Sequence, residues 1–270
     1  MNELQNKELA LLKCFVDVCE RLGLTYYLLC GTALGAVKYK GFIPWDDDVD
    51  VGLFREEYER FLKEAPALLP EGIFLQTYKT DPAYPQIFGK LRDSNTTYIE
   101  KASAKLPMNH GIYIDIFPLD GYPSDPAEQK RLERLKIHYK RQIACCYDVK
   151  RSVPGRMLCG FNRLIGCHKR TGKILARYEK LICAYPTEGS AVICNHGNWQ
   201  GRLEYADRRQ YGEGAWAEFE GLRVRVPEQY DAYLTQKYND WRADLPPEEQ
   251  VGHHYYSVMD TQKPYTEYLR

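Results

Sequence analysis

The sequence predicts an α/β (α+β) protein, a mixed-sheet core with a helical insertion or appendage. Three observations carry that prediction: one helical face of apolar residues over 3–22, short apolar runs at strand period from 25 to 117, and a helical stretch after 125 that gives way to strands again beyond 189.

In the first element, Leu4, Leu11, Leu12, Phe15, Val16, Val18, Cys19 and Leu22 fall mainly along one helical face, and Gly23 supplies a stop. A helix over 3–22 follows. Strands are expected at 25–29, 47–53, 73–78, 86–92, 96–100 and 112–117, with a helix near 55–65. Asp125 and Pro126 suit the cap and first turn of a helix running to about 148, and Pro154-Gly155 separates it from further helices. Short strands near 191–194 and 216–226 come next, with Phe219-Glu220-Gly221-Leu222 as a hairpin turn, and then a helix over 227–238. The expected division is a core over 1–125, a mainly helical segment over 126–190, and strands and a helix over 191–270 that complete the core.

The chemistry concentrates where Cys30-Gly31-Thr32 leads into Trp45-Asp46-Asp47-Asp48-Val49-Asp50-Val51. If residues 46–53 are extended, Asp46, Asp48 and Asp50 share one side while Asp47, Val49 and Val51 take the other. Like charges at roughly 7 Å along a strand repel, and a divalent cation is what holds them together most readily. That makes the cluster a magnesium site rather than a solvated turn, because apolar residues frame it on both sides. A calcium loop would place Val51 where its sharp turn needs glycine, and the preceding Gly41 and Pro44 make a poor incoming helix.

Asp115 sits inside Ile112-Tyr113-Ile114-Asp115-Ile116-Phe117, where a charge is costly without a cation or donor, and it is expected to be a metal ligand or a general base. Lys90 and Arg92, two apart on a strand, face the same way and suit a diphosphate. Backbone N–H groups where Gly31 and Thr32 open a helix suit phosphate oxygens. Trp45, His253 and His254 are candidate substrate contacts, Trp45 through stacking or a cation–π contact.

Gly31-Thr32-Ala33-Leu34-Gly35-Ala36-Val37, followed by Lys40-Gly41-Phe42-Ile43-Pro44-Trp45-Asp46-Asp47-Asp48-Val49-Asp50-Val51, resembles the signature of LicD-type phosphotransferases. Gly89-Lys90-Leu91-Arg92-Asp93 and the run from Gly111 to Gly121 are similar to the family's second and third blocks. Leu245-Pro246-Pro247-Glu248-Glu249 with His253-His254 is similar to its tail. The resemblance implies a nucleotidyltransferase-type core, with Asp48 and Asp50 joined by Asp115 as carboxylates and Asp46 as a further ligand. It implies one or two Mg²⁺ ions, with Mn²⁺ as a substitute, and transfer of a phospho-alcohol group from a CDP-alcohol, CDP-choline foremost, to a hydroxyl of a glycan or polyol-phosphate, lipid-linked acceptors included, with release of CMP. Teichoic acid or lipopolysaccharide would be such a glycan. Two alternatives stay open: nucleotidyl transfer from an NTP with release of pyrophosphate, and a binding module of the same fold without catalysis.

Lys plus Arg and Asp plus Glu both number 37, so nothing marks a general nucleic-acid binder. The N-terminus lacks the basic and apolar regions of a secretion signal, and no run approaches the roughly 20 apolar residues of a membrane span. Nine cysteines without a C-x-x-C pair read as reduced thiols. A cytoplasmic protein is expected, peripheral to the inner face of the membrane. Cys145, Cys146, Cys159, Cys167 and His168 are irregularly spaced for zinc and read rather as packing residues.

Overall fold

The computed structural model describes residues 1–270 other than Lys150, Trp199, Gln200, His253 and Arg270, with the side chain of Arg202 also outside the description. Helix α1 (Glu3–Leu22) starts in a capping box between Asn2 and Gln5. It stops at Gly23, whose φ of 64° is the left-handed turn that glycine enters without penalty. The next elements are β1 (Tyr26–Leu28), α2 (Cys30–Leu34), β2 (Asp50–Phe54), α3 (Arg55–Glu64), β3 (Ile73–Gln76), β4 (Gly89–Asp93), β5 (Thr97–Glu100) and β6 (Ile112–Tyr122). A π-helical turn over Gly35–Tyr39 prolongs α2.

The main sheet has the order β1-β2-β6-β4-β3. Only β2 and β6 within that path run parallel. Strand β6 is buried along its length up to Gly121, which is why its sequence is apolar on both phases and the two acids within it, Asp115 and Asp120, need partners. Asp120, fully buried, receives a bidentate grip from Arg55, with Nε and Nη2 at 2.7 and 2.9 Å. Helix α1 packs on β6 and β4, and α3 on β2 and β6.

The helical segment comprises α4 (Pro126–Ile143), α5 (Val153–Leu164) and α6 (Thr171–Ile182). Asp125 caps α4 by accepting from the Ala127 N–H. Leu132, Ile143, Leu175, Tyr178 and Ile182 form a small core of their own here, which also takes in Tyr78 and Ile87 from the sheet domain. Strands β7 (Val192–Cys194) and β8 (Tyr205–Asp207) then extend the far half of β6. Helix α7 (Arg208–Tyr211), the hairpin of β9 (Ala215–Phe219) and β10 (Leu222–Val226), and α8 (Tyr230–Tyr238) follow. The hairpin turns on Glu220 and Gly221, both at positive φ. Finally β11 (Tyr256–Asp260) pairs with β5.

Two expectations need correction. The strand predicted over 47–53 begins only at Asp50, because a turn closed by the Asp46 N–H on the Ile43 carbonyl leaves 46–48 outside the ladder, which the Val49 carbonyl joins by accepting the Asp115 N–H. The helix expected to run to about 148 ends at Ile143 and tightens into a 3₁₀ turn over Ala144–Cys146. A calcium loop over 46–57 is also excluded, since β2 is paired on both sides and α3 starts at Arg55.

Candidate active site

Register decides which side chains meet. Asp50 on β2 lies directly beside Asp115 on β6, and Lys90 on β4 lies beside Asp115 on the opposite flank. Residues opposite one another on neighbouring strands point to the same face, so three charged side chains stand abreast on the sheet. Lys90 Nζ is 2.7 Å from Asp115 Oδ1 and 3.2 Å from the centroid of the Tyr113 ring. Both members of this ion pair are nearly closed off from solvent.

Asp50 and Asp115 open onto a cavity of about 490 Å³, whose lining also includes Asp46 and Asp48. The predicted alternation therefore holds even though 46–49 is irregular: Asp46, Asp48 and Asp50 enter the cavity, and Asp47 does not. Burial and then the Asp48 and Asp47 charges push the Asp46 carboxyl up to about 8. Burial raises Asp48 as well, with Asp115 and Asp47 adding and His254 opposing. Asp50 goes well above the carboxylate range, through burial first and then Asp48 and Asp115. Unshielded carboxylates this close favour protons over ionisation, the electrostatic condition that a divalent cation relieves.

The backbone around the acids is shaped for them. Thr32 Oγ1 accepts the Asp50 N–H at 2.8 Å, so Thr32 fixes the start of β2 from behind. A Cβ on Gly31 would stand 2.9 Å from Asp46 Oδ2, so only glycine leaves room for that carboxylate. Cys30, also lining the cavity, holds a positive φ of 47°, a strained value for a residue with a side chain.

Other predicted residues divide. Trp45 and His254 line the cavity, and Tyr39, Phe88, Phe117, Tyr238 and Trp241 complete an aromatic wall with Trp45. Lys90 reaches the site through Asp115. Arg92 does not line it: the guanidinium is fully buried, donating to Gln76 Oε1 at 2.5 Å and to the Gly111 carbonyl at 2.6 Å. It shares a face with Lys90 as expected, and both cations lie over Tyr113, Arg92 at 4.7 Å. His253 lies outside the described residues.

Sequence reasoning missed the partner of Asp47. The His254 N–H donates to Asp47 Oδ2 at 2.9 Å, and His254 Nδ1 lies 3.1 Å from Asp47 Oδ1 and 3.8 Å from Asp48 Oδ2. Burial lowers this imidazole, but the Asp47 hydrogen bond and the Asp48 and Glu100 charges outweigh it and push His254 up to about 10. Among the described residues, Asp47, Asp48 and His254 form a group with ligand atoms within 4.8 Å of one another. In this arrangement Asp47 and His254 form a hydrogen-bonded pair that also adjoins Asp48. Glu8 was missed too. Its side chain lies buried in α1, with the carboxyl raised by burial and then by Asp48, Asp46 and Asp47.

The nucleotidyltransferase domain described as LicD/FKTN/FKRP matches residues 23–143, a span that contains every one of these acids except Glu8. Lipopolysaccharide cholinephosphotransferase LicD of Haemophilus influenzae is 30% identical over 255 residues, covering 91% of this chain and 92% of that protein. The chain belongs to the LicD family. It is therefore a transferase of the phosphotransferase type. Ribitol 5-phosphate transferase FKRP, from human and from mouse, is 45% identical over 42 residues, 16% of this chain and 8% of each of those proteins. As a LicD-family member the chain places its mixed sheet under the acids, and no helix among the described residues is long and apolar enough to cross a membrane. The cysteines of the helical segment supply no metal site among those residues: Cys145 Sγ meets the Gln142 carbonyl, Cys146 Sγ the Thr171 hydroxyl, and Cys159 Sγ accepts from Arg151.

Proposed function

We propose that this cavity transfers a phospho-alcohol group, phosphocholine foremost, from a CDP-alcohol to a hydroxyl of a glycan or polyol-phosphate, with CMP as the other product. The observation that carries the proposal is the convergence of Asp46, Asp48, Asp50 and Asp115 on one cavity walled by aromatic rings. The LicD relative of Haemophilus influenzae, named for cholinephosphate transfer to lipopolysaccharide and alike over almost the whole chain, supports the choice of alcohol.

The residues fit Mg²⁺. Four carboxylates share the cavity, three of them with raised pKa values, and Gly31 leaves open the space that Asp46 uses. Asp48 and Asp50 would hold the ion, with Asp46 and Asp115 at its edge. A divalent cation bound there would neutralise charge on the donor diphosphate.

In the proposed reaction the acceptor oxygen forms a bond to the phosphorus that carries the alcohol, and that phosphorus loses its bond to the oxygen bridging to CMP. The hydroxyl proton passes to Asp115, held in place by Lys90. Trp45 and the neighbouring rings face the trimethylammonium group, a cation suited to aromatic faces. Lys90 adds positive charge toward the phosphates, and the N–H groups at Gly31 and Thr32 are placed for the donor.

The test is incubation of the protein with Mg²⁺, CDP-choline and lipopolysaccharide, reading CMP, in parallel with NTPs, reading pyrophosphate. Acceptor-dependent CMP release that chelation abolishes supports the proposal. Pyrophosphate from an NTP, with CDP-choline untouched, would replace it with nucleotidyl transfer.

A further inference from the structure

Helix α5 carries its apolar residues on the wrong side for a helix that belongs only to the fold. Val153, Met157, Phe161 and Leu164, spaced 4, 4 and 3 apart, form one stripe, and their exposures are 68, 72, 57 and 84%. The opposite face holds the buried Asn162, whose amide donates to the Arg141 carbonyl, and the half-buried Cys159. Ile165, just past the C-terminus, is exposed as well.

Charge around the stripe is one-sided. Between Val149 and Tyr178 the sequence has eight Lys and Arg residues and no Asp or Glu, in a chain whose total charge is zero. The flanking acids are already engaged, Asp148 with Lys105 and Glu179 with Lys79. Arg156 and Arg163 border the stripe along α5, and Lys169 and Arg170 follow it; all four are exposed. Arg163 and Arg170 donate to backbone carbonyls, and among the described residues none of the four makes an ion pair with a carboxylate.

The geometry points to α5 as an in-plane membrane anchor that seats its Val153-Met157-Phe161-Leu164 stripe in the surface of an anionic bilayer, with the surrounding Arg and Lys residues on the lipid phosphates. An exposed apolar stripe bordered by uncompensated cations has the two features that such helices use, burial of apolar area at the headgroup boundary and attraction to anionic lipid. A protein groove would match the stripe but leave the excess of positive charge without a reason. Helix α5 is tied to α4 by the Asn162 amide on the Arg141 carbonyl, and the adjacent Lys140 ammonium donates to the carbonyl of Asn198, which lines the cavity.

Flotation of the full chain with vesicles of phosphatidylcholine containing 30% phosphatidylglycerol, against vesicles of phosphatidylcholine alone, tests this without any need for turnover. Binding is expected only to the anionic vesicles and should weaken steeply as salt rises. The double variant Met157→Gln/Leu164→Gln, exposed and remote from the core, should lose binding at least tenfold with an unchanged melting temperature. Replacing Arg156, Lys169 and Arg170 together with Gln should do the same, each cation contributing about fivefold. The inference is overturned by equal flotation of wild type and the Gln double variant, or by no binding to either vesicle. Self-association without vesicle binding that the double variant abolishes would also overturn it and assign the stripe to a second copy of the chain.

Discussion

Asp50 and Asp115 are neighbours in register across the parallel pair of β2 and β6. The backbone ladder itself therefore sets their two backbones one strand spacing apart, about 4.8 Å. Both side chains rise into one cavity, where burial and the neighbouring acids raise the Asp50 carboxyl well above its usual range.

Asp50→Asn should abolish turnover and leave the melting temperature equal to or above that of the wild type. It puts a neutral side chain of the same shape where a buried carboxyl resists ionisation. Thermal melts beside CMP release check both halves, and wild-type turnover would remove Asp50 from the metal site.

Asp115→Asn should keep donor affinity and lower kcat by roughly 10² to 10⁴ if the carboxylate is the base. Lys90→Met leaves Asp115 buried beside Asp50 without its cation, and should cost about 3 kcal/mol of stability. The two replacements together should cost less than their sum, which a double-mutant cycle in urea measures.

Trp45→Leu should weaken CDP-choline by about 1 kcal/mol and leave CMP unaffected, since the ring is proposed to meet the ammonium group alone. Calorimetry with the two ligands decides, and equal losses would place the indole near the nucleotide.

The metal-free protein should lose stability as pH rises from about 6.5 to 8. Asp46, raised from 3.8 to about 8, and His254, raised from 6.5 to about 10, both bind more protons folded than unfolded in that interval. Their contributions are complete below the unfolded values and fade toward the folded ones. Mg²⁺ has to displace the Asp46 proton, so its stabilising effect should grow over the same interval. Melting curves with EDTA and with Mg²⁺ at pH 6.5 and 8 should diverge, and parallel curves would contradict this.

Much of this was legible in the sequence because period and local chemistry act over a few residues. The apolar face and Gly23 delimit α1, and the alternation through Asp46, Asp48 and Asp50 put those three acids on one side although β2 starts only at Asp50. What stayed hidden depends on partners remote in the chain. The phase of Asp47 excluded it from the triad but could not name His254 as its partner. Lys90 and Arg92 did share a face, yet the pairing of β4 with β6 gave Asp115 to Lys90, while Gln76 and Gly111 took Arg92 into the interior.

The loop of residues 46–48, left outside the ladder, is clasped from two sides. The Gln5 amide donates to the Asp46 carbonyl at 3.1 Å, and His254 pairs with Asp47. One contact belongs to the first helix and the other to the segment leading into the last strand. During synthesis the sheet can assemble well before residue 254 emerges from the ribosome, but the acidic loop gains its second clasp only afterwards. A nascent chain would thus own the scaffold while lacking the Asp47–His254 contact.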